Sequence, residues 1–435
     1  MSKDLSINLH HITRVEGHGN IVLDTKNGKI EKLQWQIPEA PRFFEAMLKG
    51  RHYDELRPIT SRICGICSIG HSLASLKATE DALGVEISKQ SALFRRLAIN
   101  GENMQSHILH VGYLAVPDLF GVGSVFPLVG SKNEGALKKI VKLHRISNEM
   151  SDLICGRTTH PIRLQVGGFS LLPNKKQLVK LKDDLQVALK TSQEVAEVVS
   201  TVAENFPNFS RETEYIALKS DSEYAFYDGE IASTDTGIHS DPKKYESIMK
   251  EYIVPQSTAK YARHNRESYM VGALARFNLN SSQLHPNAKE LAKMFNLEAI
   301  NFNPFMNNVA QLVEFVHNIE DSILLIDKLT NNGLKPEKPV KVKNTSGRGI
   351  GIVEVPRGIL VHDYTIKNKK CVKANCVIPT NQNHANIQKD MEEFVPQIID
   401  KPKEKIELNL EMLVRAYDPC ISCSTHYLDV KFVNS

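Results

Sequence analysis

The sequence predicts a mostly helical α+β protein with small peripheral β-sheets. Three observations carry that reading. Apolar residues recur at helical spacing over several long stretches, strand-like runs sit near the start and after residue 349, and residues 207–285 follow neither pattern for long. In chain order, Ile21-Val22-Leu23 and Leu33-Gln34-Trp35-Gln36-Ile37 flank Lys26-Asn27-Gly28, a hairpin signature. A helix is expected over Ser68 to Leu83, with Leu73, Leu76 and Leu83 on one side and Gly84 as its C-cap. Longer helices are expected over 88–115, 132–155, 176–205 and 304–330. In the last of these, Val309, Leu312, Val313, Val316, Ile319, Ile323 and Ile326 form a core-facing stripe. A Lys-, Pro-, Asn- and Gly-rich connector fills 331–348. Two strands, Ile350 to Val355 and Cys371 to Ile378, and a final helix at 404–416 follow it.

These elements divide a single unit, 1–435, into segments. They are a β-rich start (1–60), a helical core (61–206 and 286–330), an α+β excursion (207–285), a C-terminal segment carrying chemistry (349–426) and a tail (427–435). A chain of 435 residues can bury a large core. Its 54 basic and 50 acidic residues nearly balance, which argues against a nucleic-acid partner. No run of apolar residues is long enough to insert in a bilayer. Met1-Ser2-Lys3-Asp4 opens a polar segment rather than a leader, so a cytoplasmic location is expected.

Four of the seven cysteines form two Cys-x-x-Cys pairs, Cys64-Gly65-Ile66-Cys67 and Cys420-Ile421-Ser422-Cys423, near opposite ends of the chain. Closing so long a loop costs little more than closing a short one, because the penalty grows as the logarithm of length. Four converging thiolates in a cysteine-poor chain suggest a metal centre rather than a disulfide framework. The first pair lies at a predicted helix N-terminus, where free N–H groups favour thiolate, and Arg62 adds a positive charge. Cys-x-x-Cys pairs alone leave zinc, iron–sulfur and redox-dithiol chemistry open.

The flanking residues narrow the choice. Arg14-Val15-Glu16-Gly17-His18, Pro41-Arg42-Phe43-Phe44-Glu45, Arg62 to His71 around the first pair, Glu354-Val355-Pro356-Arg357-Gly358, Ile378-Pro379-Thr380 and Asp418 to His426 around the second pair occur in that order. In these motifs the chain resembles, from end to end, the large (alpha) subunit of nickel–iron hydrogenases. It is most similar to the cytoplasmic multi-subunit group, and within it to the NAD(P)-linked sulfhydrogenase type. The resemblance implies the large-subunit fold with a central helix bundle. It also implies catalysis of the reversible heterolytic cleavage of H2 into protons and electrons.

The same resemblance implies a Ni-Fe centre with an Fe(CO)(CN)2 unit held by Cys64, Cys67, Cys420 and Cys423. Cys67 and Cys423 would bridge to the iron and Cys64 and Cys420 would bind nickel alone. Soft thiolates suit these metals. On sequence alone Glu16 reads as a capping or salt-bridged carboxylate beside Arg14 and His18; the resemblance makes it the proton acceptor next to Cys420. Arg357, otherwise a candidate for a surface ion pair, would overhang the metals with Pro356 as apolar wall, and Thr380 would donate to a cyanide. His71 would hydrogen-bond a bridging sulfur. Glu45, the carbonyl of Cys376, and His426 would hold Mg2+ or a similar cation. Cys155 and Cys371 read as buried apolar thiols. Ser106 stands where many relatives place an aspartate that braces the arginine, so that brace must differ here.

The partners implied lie outside the chain. The three remaining cysteines cannot hold a four-cysteine cluster, so an iron–sulfur small subunit must take the electrons. No Gly-x-Gly-x-x-Gly fingerprint follows a strand, so nicotinamide binding belongs elsewhere; the resemblance implies further subunits that carry flavin and the acceptor site, with NAD(P) or polysulfide as acceptor. The tail after His426 would be removed by a maturation endopeptidase. Two other readings are a structural four-cysteine zinc protein and a complex I-like quinone-reducing subunit, whose members lack the cysteines kept here.

Overall fold

A computed structural model describes residues 4–425; His426 and the tail 427–435 lie outside the described residues. The chain opens with an antiparallel three-stranded sheet, Leu5–Leu9, Asn20–Lys26 and Lys29–Gln36. Its tight hairpin turns on Asn27 and Gly28, both at positive φ, as the Asn-Gly pair favours. Trp35 on the last strand is fully buried, and its Nε1–H donates to Nδ1 of His384 at 2.9 Å.

The helical core follows the apolar spacing. The helix expected at Ser68 runs to Leu83 and stops at Gly84, whose φ of 60° takes the left-handed cap. The expected stretches 132–155, 176–205, 304–330 and 404–416 are the helices Glu134–Cys155, Lys175–Ser200, Asn307–Asn331 and Lys403–Ala416. The stretch 88–115 is Lys89–Leu109, capped by the Ser88 hydroxyl, and then a π-helical segment His110–Ala115. Wide turns of this kind are frequent at functional sites. This one aims His110 between two oxygens, Gln311 Oε1 at 2.6 Å and the Arg415 carbonyl at 2.7 Å.

Residues 207–285 build a four-stranded sheet, in the order Tyr269–Met270, Glu214–Lys219, Glu230–Ser233, Gly237–His239, with its first pair parallel. The C-terminal sheet is antiparallel: Gly347–Val355, Gly358–Lys367 and Lys370–Val377. Pro356 and Arg357 are the two-residue tip between Val355 and Gly358.

A glycine stripe seats this sheet on the Ser68–Leu83 helix. Gly347, Gly349 and Gly351 share one face of their strand by the period of two, and a Cβ on them would stand 2.0–2.2 Å from the backbone oxygens of Ala82, Ala78 and Ala74. Small residues on both sides bring strand and helix backbones into contact. The helix capped by Cys67 and the strand that leads into the Pro356-Arg357 tip are thereby fixed to one another.

Candidate metal centre

The two cysteine pairs meet. Sγ of Cys64 lies 3.4 Å from Sγ of Cys420 and 3.1 Å from Sγ of Cys67, and Cys420 and Cys423 are 2.7 Å apart. All four sulfurs fall within 4.8 Å of one another, and all four residues are buried. No other cluster of metal-binding side chains forms among the described residues. Cys67 is the N-cap of the Ser68–Leu83 helix, and Cys420 precedes a short turn, Ile421–Ser424. Arg42 joins the two turns: its Nη1 donates to the carbonyls of Ile63 (2.7 Å) and Ser422 (3.3 Å), and its Nη2 to that of Arg62 (3.0 Å).

The four thiols do not share charge evenly. Hydrogen bonds from Cys420, Cys423 and Cys67 hold Cys64 well below an ordinary thiol. The Ile66 and Cys67 amides, 3.2 and 3.1 Å away, point at the same sulfur. Burial, with the other thiols, pushes Cys420 and Cys423 well up. A dry cluster of this kind sheds one proton readily and the rest only to a cation.

Glu16 runs beside the second pair. It forms a parallel bridge with Cys420, its carbonyl accepts from Ile421 N at 3.0 Å, and its carboxylate accepts from Ser422 N at 3.1 Å. Thr380 Oγ1 accepts the Cys420 amide at 3.0 Å. Arg357 is buried, and burial works against its charge, but Asp418 and the nearby thiols more than restore it. Its Nε donates to the Asp418 carbonyl (2.7 Å), Nη2 to Asp418 Oδ1 (2.8 Å) and Nη1 to Ser106 Oγ (3.1 Å). Pro356 beside it gives its carbonyl to Arg276 Nη2 at 3.0 Å.

His71 lies one turn into the first helix, with Nδ1 3.1 Å from Nε2 of His362. Burial pushes His71 down to about 4, so its ring is neutral near pH 7. Glu45 is buried and accepts the Cys376 amide at 2.8 Å, near the Lys260–Glu251 ion pair. His426 lies outside the described residues.

Several supporting residues had no role in the sequence reading. Asp418 supplies two of the three acceptors of Arg357; its place in the second cysteine motif was the available signal. Glu102, fully buried, accepts Ile69 N (2.6 Å) and Gly70 N (2.9 Å) at the start of the first helix. Arg276 grips Glu314 (2.6 Å), Glu354 (2.9 Å) and the carbonyls of Val355 and Pro356. Glu314 is raised by burial, but the charge and hydrogen bonds of Arg276 outweigh that and take it to about 2. No single-sequence pattern marks Glu102, Arg276 or Glu314.

A family model for nickel-dependent hydrogenase matches residues 42–126 and 210–426. The chain is 33% identical to the alpha subunit of sulfhydrogenase 1 from Pyrococcus furiosus, over 97% of its own length and 98% of that protein. It is 30% identical to a subunit of the vhc F420-non-reducing hydrogenase of Methanococcus voltae, over 97% of its length and 94% of that protein. Among solved structures, an NAD+-reducing NiFe-hydrogenase in the H2-reduced state superposes with a TM-score of 0.85 at 25% identity, covering 98% of this chain and 100% of that one.

Proposed function

The chain belongs to the nickel-dependent hydrogenase family and is the catalytic subunit of an H2 oxidoreductase, and from that premise we propose how its residues divide the work. Cys64, Cys67, Cys420 and Cys423 would hold nickel, with Cys67 and Cys423 shared with iron. The donor set fits: four soft sulfurs in a dry pocket within 4.8 Å, with an arginine beside them. When bound, such a centre supplies the redox-active, Lewis-acidic site at which H2 parts into protons and electrons. The observation that carries the reading is the convergence of these sulfurs.

The chain's own groups then handle the proton and the surroundings. A proton held at Sγ of Cys420 is passed to the carboxylate of Glu16. Supporting this, Glu16 is bridged to Cys420 and already turned toward the Ser422 amide of the same turn. Arg357, held by Asp418 and Ser106, keeps a fixed positive charge at the site, and Pro356 helps exclude water. Thr380 spends its oxygen on the Cys420 amide, which leaves its hydroxyl proton free for a diatomic ligand. His71 supports the first helix turn from the side of His362.

Glu45 and the Cys376 carbonyl, with His426, would hold Mg2+; the Glu45 carboxylate already reaches the Cys376 backbone, accepting its amide at 2.8 Å. Electrons would pass to an iron–sulfur small subunit, then through flavin-bearing subunits to NAD(P) or polysulfide. The sulfhydrogenase names of the relatives and the NAD+-reducing structural neighbour support that route. The proposed location is the cytoplasm; no helix among the described residues is long and apolar enough to cross a membrane.

The test is metal analysis of the purified enzyme together with infrared spectroscopy. Nickel and iron near one each per chain, with bands from iron-bound carbon monoxide and cyanide, are expected. Zinc as the sole metal would overturn the proposal.

A further inference from the structure

The helices Lys89–Leu109 and Asn307–Asn331 run antiparallel, and polar side chains meet across them in rungs. His110 faces Gln311 (2.6 Å), His107 Nε2 faces Glu314 Oε2 (2.8 Å), and Asn100 Nδ2 faces Asp321 Oδ2 (2.8 Å). As one residue number falls by three and then by seven, about two helical turns, the other rises by the same amount. The rung due between His107–Glu314 and Asn100–Asp321 is therefore Asn103–Asn318.

That rung is not closed by the protein. Asn103 and Asn318 are fully buried, and both amide atoms of each lack a hydrogen-bond partner. Nδ1 of His107, one turn along the same face, is likewise unpartnered. Because Nε2 of His107 donates to a carboxylate, Nδ1 of the neutral ring is left as an acceptor. Five unpartnered polar atoms on one buried seam are far from the usual satisfaction of protein interiors. The common remedy is ordered water, each molecule making about three hydrogen bonds, so about two molecules would serve these atoms.

We propose that Asn103, Asn318 and Nδ1 of His107 form a binding site for about two water molecules, which complete a hydrogen-bonded file between the two helices. At its inner end the file reaches Gln311, whose Nε2 donates to Asp418 Oδ2 at 3.0 Å, and Glu314, which holds Arg276. Asp418 holds Arg357 directly, and Arg276 holds the Val355 and Pro356 carbonyls just before it. At its outer end Asp321 pairs with Arg96, which pairs with Glu223 at 2.7 Å, and these residues line a surface cleft with Asn100. The file thus joins solvent to the bracing side of the metal centre.

The experiment is a structure of the assembled enzyme at a resolution that shows ordered water, for the natural protein and for Asn103→Leu. Two water peaks bonded to Asn103, Asn318 and His107 Nδ1 are expected, with at least one missing in the variant. Amides turned onto each other or onto backbone carbonyls with no water between them would overturn the site. So would a water pattern that Asn103→Leu leaves unchanged.

Discussion

Arg357 is fastened to Asp418 twice, through Nη2 to Oδ1 at 2.8 Å and through Nε to the backbone carbonyl at 2.7 Å. Asp418 sits two residues before Cys420 with a left-handed φ of 49°. One residue therefore orients the arginine and launches the second cysteine turn. Removing one partner of a buried ion pair costs about 3–5 kcal/mol, so Asp418→Ala should lose stability on that scale. Asp418→Asn should lose less, because Asn tolerates the same φ and keeps an acceptor. Denaturant unfolding of the two variants checks the order.

Arg357→Lys should retain near-normal nickel and iron while turnover falls about tenfold or more, equivalent to about 1.4 kcal/mol of transition-state stabilisation. A lysine head is a single point charge and cannot span Ser106 and both Asp418 oxygens. Metal analysis beside H2-dependent dye reduction checks this, and unaltered turnover would refute the role.

Glu16→Gln should keep the metal centre, because a glutamine oxygen can still accept the Ser422 amide. It cannot carry a proton, so H/D exchange with D2 should be suppressed. Mass-spectrometric exchange assays decide it; full exchange would remove Glu16 from the relay.

Gly351→Ala and Gly349→Ala should each cost at least about 1–3 kcal/mol, since the new methyl would meet helix backbone at 2.0–2.2 Å rather than a movable side chain. Gly123→Ala, with nothing within 4 Å, is the neutral control. Thermal unfolding compares the three, and metal retention should follow the same order.

His384 is buried between Trp35 and Ser424, and burial pushes it down to about 3. Below its ordinary value near 6.5 the unfolded chain takes up a proton that the folded chain refuses. Stability is therefore intact above about pH 6.5 and declines as pH falls toward 3, by up to about 1.4 kcal/mol per unit from this residue. His384→Gln should flatten that part of the profile, measured by unfolding at several pH values.

Much of this architecture was legible because its signals are local. The Ser68–Leu83 helix carries its own cap glycine, and the Asn27-Gly28 hairpin its own turn residues. The strand Gly358–Lys367 was not read, because both of its faces are buried along most of its length and no polar alternation remains. The helix Pro379–Ile398 was missed for the opposite reason. It opens Pro-Thr-Asn-Gln-Asn-His, residues of weak helix propensity, and is held by tertiary bonds such as Gln382 to the Ile359 carbonyl and Asn383 to Val271. At the site, the cysteines and Arg357 stood in recognisable motifs. Asp418 stood in the second cysteine motif, but Glu314 and Arg276 matter through contacts between distant segments, which spacing along one chain does not encode.

The sulfurs of Cys64 and Cys420 are 356 residues apart in sequence yet nearly touch. A ribosome adding about 5–20 residues per second would leave the first thiol pair waiting roughly 20–70 seconds for the second to be synthesised. During that interval only half a socket exists, open to oxidation or to capture of an unsuitable ion. Loading order is thus built into the chain: correct metallation must come after the second cysteine pair has been synthesised.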